Sequence, residues 1–305
     1  MSDERQENYG RTGIVAVVGR TNVGKSTLLN RLIGEKVSIV SDTVQTTRNL
    51  IRAILTEPRG QLVFLDTPGV HKAQGALGKN LNKIARKAAE GVDVTLLVLD
   101  ASVPPAQEDE GWMRRLLFTE SQPVFWLNKT DVGRKHAEQY RVLFTALCAE
   151  KQIDRPVLWL EGSALDGGGA DRLLDELLAR MPEGPLLFPE EVLTDYPRKL
   201  NIGDVIREKL FHRLHAEVPH CVAVWVEQID ERENGWEIEA FIYVERPSQK
   251  GIVIGEKGRL LKRVRQEAEA ELKEMYGFPV TLTLWVKVEK NWRQNFWILK
   301  KLGYA

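Results

Sequence analysis

Only two of the 305 residues are cysteine, Cys148 and Cys221, far apart and without the paired spacing of a metal site or a disulfide framework. They read as buried thiols in a reducing compartment. No apolar run approaches the ~18 to 20 residues needed to cross a bilayer, and Met1 to Gly10 is polar, so no transmembrane segment is expected and the expected setting is the cytoplasm. Net charge is missing too: 43 basic and 43 acidic side chains cancel, so overall charge points to no partner.

What is present is a set of five short stretches in a fixed order. The first is Gly19-Arg20-Thr21-Asn22-Val23-Gly24-Lys25-Ser26, preceded by the apolar run Ile14 to Val18 and followed by Thr27-Leu28-Leu29. That is strand, loop, helix, the context of a phosphate-binding loop. Two glycines let backbone amides turn inward on phosphates, the helix N-terminus adds partial positive charge, and Lys25 supplies a point charge. Ser26 offers a hydroxyl to magnesium, which prefers oxygen ligands.

The run Gln61 to Leu65 reads as a buried strand ending in Asp66-Thr67-Pro68-Gly69, where a carboxylate can reach magnesium through water and the Gly69 amide can sense a terminal phosphate. Pro123 to Leu127 reads as another strand, ending in Asn128-Lys129-Thr130-Asp131. Asp131 can accept from the paired N–H groups of guanine, which adenine lacks, and is the candidate for base choice. Ser163-Ala164-Leu165 follows the strand-like Val157 to Leu160, and its backbone can touch the base. Gln45-Thr46-Thr47-Arg48-Asn49 lies in a polar segment suited to ordering around a nucleotide, as does the stretch from Val70 to Asn80. Thr47 is the candidate switch threonine for magnesium, with Thr46 the alternative.

Residue 70, directly after Gly69, is Val, a side chain that cannot position an attacking water. Slow basal hydrolysis is therefore expected unless backbone, another side chain, a monovalent cation or a partner orients the water.

The length allows two domains. Strands and amphipathic helices alternate over 13–180, as in a mainly parallel sheet with helices on both faces, after a polar tail at 1–12. Met181-Pro182-Glu183-Gly184-Pro185 and Phe188-Pro189 break the pattern, and 181–200 is read as a linker. Beyond it come a helix from Gly203 to Ala216, strands at Val222 to Val226 and Trp236 to Val244 joined through Asn234-Gly235, and a short helix over Ile252 to Gly258. A long helix to about Tyr276 and a strand at Val280 to Val286 complete residues 201–290, and a helical tail fills 291–305.

Around Gly255-Glu256-Lys257-Gly258 the balance of charge is local. From Arg246 to Arg265 seven basic residues, including Lys250, Lys257, Arg259 and Lys262, face one acid, Glu256. Two glycines let the chain approach a sugar-phosphate backbone, and the following helix N-terminus favours its charge. These residues, with Ile254 beside the turn, form the candidate RNA site. Ile252, Val253 and Ile254 fit either a floor for unstacked bases or a plain core; Trp292 and Trp297 fit either base stacking or anchoring of the tail.

The five stretches resemble the translation-factor-related GTPase class and, more closely, the Era family, in which Asn-Val-Gly-Lys-Ser and Gln-Thr-Thr-Arg are usual; Thr21 stands where that family commonly has Pro. The C-terminal order of helix, two strands, helix, Gly-x-x-Gly turn, helix and strand resembles a KH domain. The resemblance implies an α/β P-loop GTPase domain followed by an α+β type II KH domain. It further implies GTP hydrolysis to GDP, Mg2+ at Ser26 and Thr47, and binding of the 3′ end of small-subunit (16S) ribosomal RNA during maturation of the small ribosomal subunit. Loose peripheral contact with the inner membrane face is also attributed to the family, and an asparagine at the position of Asn22 can help hold K+ as an activator. Two competing readings are a signalling GTPase whose second domain docks a protein or other nucleic acid, and an ATP-dependent enzyme on the same loop.

Overall fold

On strand β1 (Gly10–Val18), Val15 and Val17 pack into one hydrophobic cluster and Ala16 and Val18 into another. The period of two that sends neighbours to opposite faces makes this strand the centre of a layer covered on both sides. The computed structural model describes residues 10–41, 46–71 and 75–304. Contacts divide them into two units, the described parts of 1–38, 47–73 and 81–195, and those of 39–46, 74–80 and 196–305.

The chain continues from β1 as α1 (Lys25–Ile33), β2 (Ile51–Glu57), β3 (Gly60–Asp66), α2 (Gly75–Ala88), β4 (Val94–Asp100), α3 (Gln107–Leu116), β5 (Gln122–Asn128), α4 (Ala137–Lys151), β6 (Leu158–Glu161), α5 (Ala170–Ala179) and the two-residue β7 (Glu183–Gly184). The sheet order is β2-β3-β1-β4-β5-β6, with β7 on β1. All pairs are parallel except β2 with β3 and β7 with β1. Leu28 and Leu29 of α1 and Leu173 and Leu177 of α5 fill one face with Val98, Val124 and Trp126. Trp112 and Met113 of α3 and Tyr140 and Phe144 of α4 fill the other with Leu97, Leu99 and Phe125. This is the doubly covered, mainly parallel sheet expected from the sequence.

Part of the stretch read as a linker is ordered against this sheet. Met181 is buried in its core, Thr12 N donates to Pro182 O at 2.9 Å, and Ile54 N donates to Leu193 O at 2.8 Å. The following helix, α6 (Arg198–Arg213), begins five residues earlier than the apolar period suggested. Pro197 precedes its first turn with ψ 128, and Leu214 returns to extended backbone at its end.

After α6 come β8 (Ala223–Arg232), β9 (Gly235–Val244), α7 (Pro247–Ile254), α8 (Arg259–Tyr276), β10 (Val280–Val288) and α9 (Phe296–Lys301). The sheet order is β10-β9-β8, with β10 parallel and β8 antiparallel to β9. Ile238, Ala240 and Ile242 of β9 pack on one side with Ile202 and Ile206 of α6 and Val264 and Ala268 of α8. The short helix read as Ile252 to Gly258 is instead α7, started by Pro247 at its first position and ended at Gly255.

Gly60 shows how tightly the first sheet is drawn together. Its φ is +148, and a Cβ there would lie 1.9 Å from the Arg11 carbonyl oxygen. Gly60→Ala is expected to cost on the order of 3 kcal/mol of stability, by overpacking against backbone that cannot move aside. Urea unfolding measures this, and an unchanged midpoint would contradict the packing described.

Candidate functional site

Parallel register brings strand ends level: Val17 of β1 lies opposite Asp66 of β3, and Asp100 of β4 opposite Asn128 of β5. The first loop leaves the sheet at this edge. Gly19 has φ +147, and a Cβ on it would stand 2.5 Å from Val98 O; Gly24 has φ +95, and its Cβ would stand 2.3 Å from Asn128 Nδ2. Only glycine lets the loop lie this close. Gly24 is the N-cap of α1, so the amides of the first turn open towards the loop. Asn22 takes φ +61 at its exposed crest, Val23 is buried beneath, and Thr21 and Thr27 are half-buried on either side. Lys25 is 6% exposed, and its Nζ donates to Arg20 O at 2.8 Å. Burial lowers its ammonium to about 8, with Asp66 pulling the other way.

Ser26 Oγ donates to Asp66 Oδ2 at 2.7 Å and lies 2.9 Å from Thr47 Oγ1. Since Ser26 has one proton and gives it to the carboxylate, Thr47 is the donor in the second bond. Thr46 turns elsewhere, its hydroxyl donating to Ser41 O. Of the two threonines it is thus Thr47 that stands beside Ser26, while Arg48 and Asn49 are buried after it and Gln45 lies outside the described residues. Asp66 is fully buried, and burial raises its pKa against the opposing effects of Ser26 and Lys25. Its Oδ1 is a buried oxygen with no hydrogen-bond partner among the described residues. An orphaned carboxylate oxygen beside two hydroxyls is a hard-oxygen set that fits Mg2+.

Thr67 Oγ1 donates to Val17 O at 2.8 Å, and Pro68 is buried. A Cβ on Gly69 would lie 2.7 Å from Thr21 Cα, and Val70 N donates to Gly19 O at 3.2 Å. The backbone after β3 therefore rests on the first loop. Arg20 makes an ion pair with Asp109 of α3 at 3.1 Å, and Asp109 Oδ2 also accepts from Ala106 N at 2.9 Å.

Asn128 joins three of the five stretches. Its Nδ2 donates to Val23 O at 2.8 Å, and its Oδ1 accepts from Ala164 N at 2.9 Å and Trp126 Nε1 at 3.2 Å. Lys129, at φ +62, pairs with Asp100 at 2.8 Å. Burial would raise the Asp100 carboxyl, but bonds from Lys129 and Ser102 outweigh it and hold the group below its usual range. Thr130 N donates to Gly162 O, and Ser163 Oγ accepts from Leu165 N and Asp166 N. Arg31 of α1 donates to the carbonyls of Ala164 and Leu165. Asp131 is exposed, and among the described residues it makes no hydrogen bond or ion pair.

In the second unit Gly255 (φ +73), Lys257 (φ +50) and Gly258 (φ +75) form a left-handed turn between α7 and α8, closed by Gly258 N donating to Gly255 O at 3.1 Å. A Cβ on Gly255 would meet Leu260 Cβ at 2.6 Å, whereas Gly258 has open space around it. Lys250, Glu256, Lys257, Arg259 and Lys262 are exposed, and Ile254 is half-buried. Of the neighbouring apolar residues, Val253 belongs to the core, while Ile252 is exposed. Beside the turn runs a groove of about 350 Å³ between α8 and β10, lined by Gly258, Leu261, Lys262, Arg265 and Trp285 among others. Trp285, 52% exposed, was not singled out from the sequence; alternation along β10 is the signal that could have found it. Trp292 is an anchor, buried with its Nε1 donating to Cys221 O at 2.9 Å, whereas Trp297 is 74% exposed. Arg31, Asp100 and Asp109 were also missed, because their partners are distant in sequence.

A family model described as 50S ribosome-binding GTPase matches residues 14–129, and one described as KH domain matches residues 217–293. GTPase Era of Geotalea uraniireducens is 44% identical over 301 residues, covering 98% of this chain and 99% of that protein. GTPase Era of Thermoanaerobacter sp. strain X514 is 41% identical over 298 residues, covering 97% of each. A crystal structure of Era in complex with MgGDPNP and nucleotides 1506-1542 of 16S ribosomal RNA superposes with TM-score 0.89 at 35% identity, covering 97% of this chain and 100% of that one. An Aquifex aeolicus Era variant bound to GDP·AlF4− gives TM-score 0.87 at 34% identity, covering 97% of this chain and 99% of that one.

The lowered Lys25 has a measurable consequence. A polyphosphate seated against it favours the ammonium, so nucleotide binding above pH 8 is expected to take up a fraction of a proton, and affinity should fall as pH rises through and beyond about 8. Calorimetry at pH 8.5 in two buffers of different ionisation heat reads the uptake directly. Equal apparent enthalpies in the two buffers would rule it out.

Proposed function

The chain belongs to the GTPase Era family, and on that footing we propose that it is a GTP-hydrolysing switch whose second unit holds the 3′ end of 16S ribosomal RNA and assists small-subunit maturation. The observation that carries the reading is that Ser26, Thr47 and Asp66 bond to one another and Asn128 ties Val23 to Ala164 at one sheet edge, in a chain that also carries a basic Gly-x-x-Gly turn. GTP is hydrolysed to GDP and phosphate.

Lys25 would leave the Arg20 carbonyl for the outer phosphates, and the amides from Gly19 to Thr27 would cradle them. Ser26 and Thr47 would hold Mg2+, with the free Oδ1 of Asp66 accepting from its water shell. Bound there, the ion would neutralise charge on the phosphate oxygens. The Gly69 amide would read the terminal phosphate, and Val70, held to Gly19 O by its amide, offers no side chain to orient water. Asn128 would fix the loops around the base, and Asp131, projecting without a protein partner, would choose guanine. On the second unit, Lys250, Lys257, Arg259 and Lys262 would bind the RNA backbone around Gly255 and Gly258, with Ile254 and Glu256 beside it. Trp285 adds an exposed ring for a base in the adjoining groove. No described helix is long and apolar enough to cross a membrane. We infer a cytoplasmic setting from the RNA ligand, with peripheral membrane contact carried by the resemblance alone.

Two measurements bear on this reading. Because Val70 cannot place water and Asn22 stands at the loop crest, K+ is expected to raise turnover at least several-fold over Na+; equal rates in the two salts would remove the cation from the mechanism. Changing Gly255 and Gly258 together to Asp adds two negative charges, and at Gly255 a clash with Leu260. The double variant is expected to lose RNA binding by at least about tenfold while keeping its affinity for GTP. Wild-type affinity for a short single strand of the 16S 3′ end would refute the assignment of this turn.

A further inference from the structure

In a chain of zero net charge, helices α3 and α4 of the first unit match their arginines with acids. On α3, Arg114 pairs with Glu110 and Glu150, and Arg115 with Glu90; on α4, Arg141 pairs with Glu161. The α2 helix departs from this habit. Its fourteen residues include no acid, and Lys83, Arg86 and Lys87 are exposed and make no ion pair among the described residues. Spaced i, i+3, i+4, these three cations lie on one side of the helix, Lys83 about one turn from the adjacent pair Arg86 and Lys87.

Beside this face lies a cavity of about 360 Å³ between α2 and α3. Val70 and Trp112 supply apolar wall, and Asn82, Arg86 and Arg115 supply planar amide and guanidinium groups. Asn82 is held in place by a reciprocal pair of bonds with the His71 backbone, donating to His71 O at 2.9 Å and accepting from His71 N at 3.4 Å. The cavity therefore continues directly from the segment that follows Gly69.

We propose that this face of α2 is a second RNA-contact surface, with backbone phosphates on Lys83, Arg86 and Lys87 and an unstacked base entering the α2–α3 cavity. The inference rests on the reading of the chain as an RNA-binding GTPase. Flat amide and guanidinium groups over an apolar wall suit the edge and face of a nucleobase, and a row of unmatched cations beside them suits a continuous polyanion. An acidic peptide entering the cavity would meet the carboxylate of Glu108 on its α3 side, whereas a neutral base would not be repelled there.

The test uses the full chain with two probes, a complete 16S ribosomal RNA transcript and a twelve-nucleotide single strand of its 3′ end. The variant combines Lys83→Ala, Arg86→Ala and Lys87→Ala, with GTP affinity as the check on folding. It is expected to bind the transcript about tenfold or more weakly, with a salt slope shallower by about 2, and to bind the short strand as wild type does. Crosslinking of 4-thiouridine transcript to residues 82–87 of the wild type is expected as well. Unchanged affinity and slope on the transcript, with no crosslink there, overturns the proposal and leaves the face to an acidic protein. Equal weakening on both probes also overturns it. The Gly255→Asp, Gly258→Asp variant separates the two readings: wild-type binding of the short strand by that protein would refute the turn assignment, while the α2 surface is decided by the triple variant and the crosslink.

Discussion

Strand β1 pairs in parallel with both β3 and β4, and the charged groups of the nucleotide site stand where that pairing allows. Parallel strands end at the same edge, so Asp66 at the end of β3 and Asn128 at the end of β5 each come within side-chain reach of the loop and helix start after β1. Hydrophobic clusters on both faces fix the sheet in that register. The same burial that secures the geometry strips water from Lys25 and Asp66 and moves both towards neutrality, one pKa lowered and the other raised. A polyphosphate with a divalent cation offers each the opposite charge it lacks. The site is thus electrostatically incomplete on its own, which is the condition for a strong response to ligand.

The second unit solves a different problem with less burial. Its basic groups cluster around a turn whose backbone angles, not a deep pocket, would let a nucleic-acid chain come close. Gly255 is confined by Leu260, whereas Gly258 has free space on its outer side, so the first glycine serves packing and the second leaves room for approach. The groove beside them is lined on one side by Trp285 of the edge strand β10.

The nucleotide loop, the strand-end carboxylate and the basic turn were legible in the sequence because each is local: a strand period, a glycine spacing, a run of like charge. The doubly covered sheet followed from the alternation of strands and helices. What was hidden depends on tertiary approach. Nothing around Arg20 announces Asp109 nearly ninety residues on, and nothing in α1 marks Arg31 as the donor that holds the Ala164 and Leu165 carbonyls. The sequence put Thr47 ahead of its identical neighbour Thr46 by only a narrow margin, and it is the Thr47 hydroxyl that lies beside Ser26. The start of α6 was misplaced because Pro197 opens a helix whose first turn lacks a clear apolar period. Trp292 and Trp297 looked alike in sequence and divide in space, one a buried anchor and the other open to solvent.

Asn128 and Asp131 are three residues apart and have opposite places in this economy. Asn128 ties the phosphate loop to the Ala164 loop and is buried, so altering it disturbs grip and shape together. Asp131 projects from the same turn with no described bond to the protein. With the role proposed for Asp131, base preference would be modular: one peripheral side chain could be rewritten for another purine while the hub beneath it keeps its bonds to Val23 and Ala164.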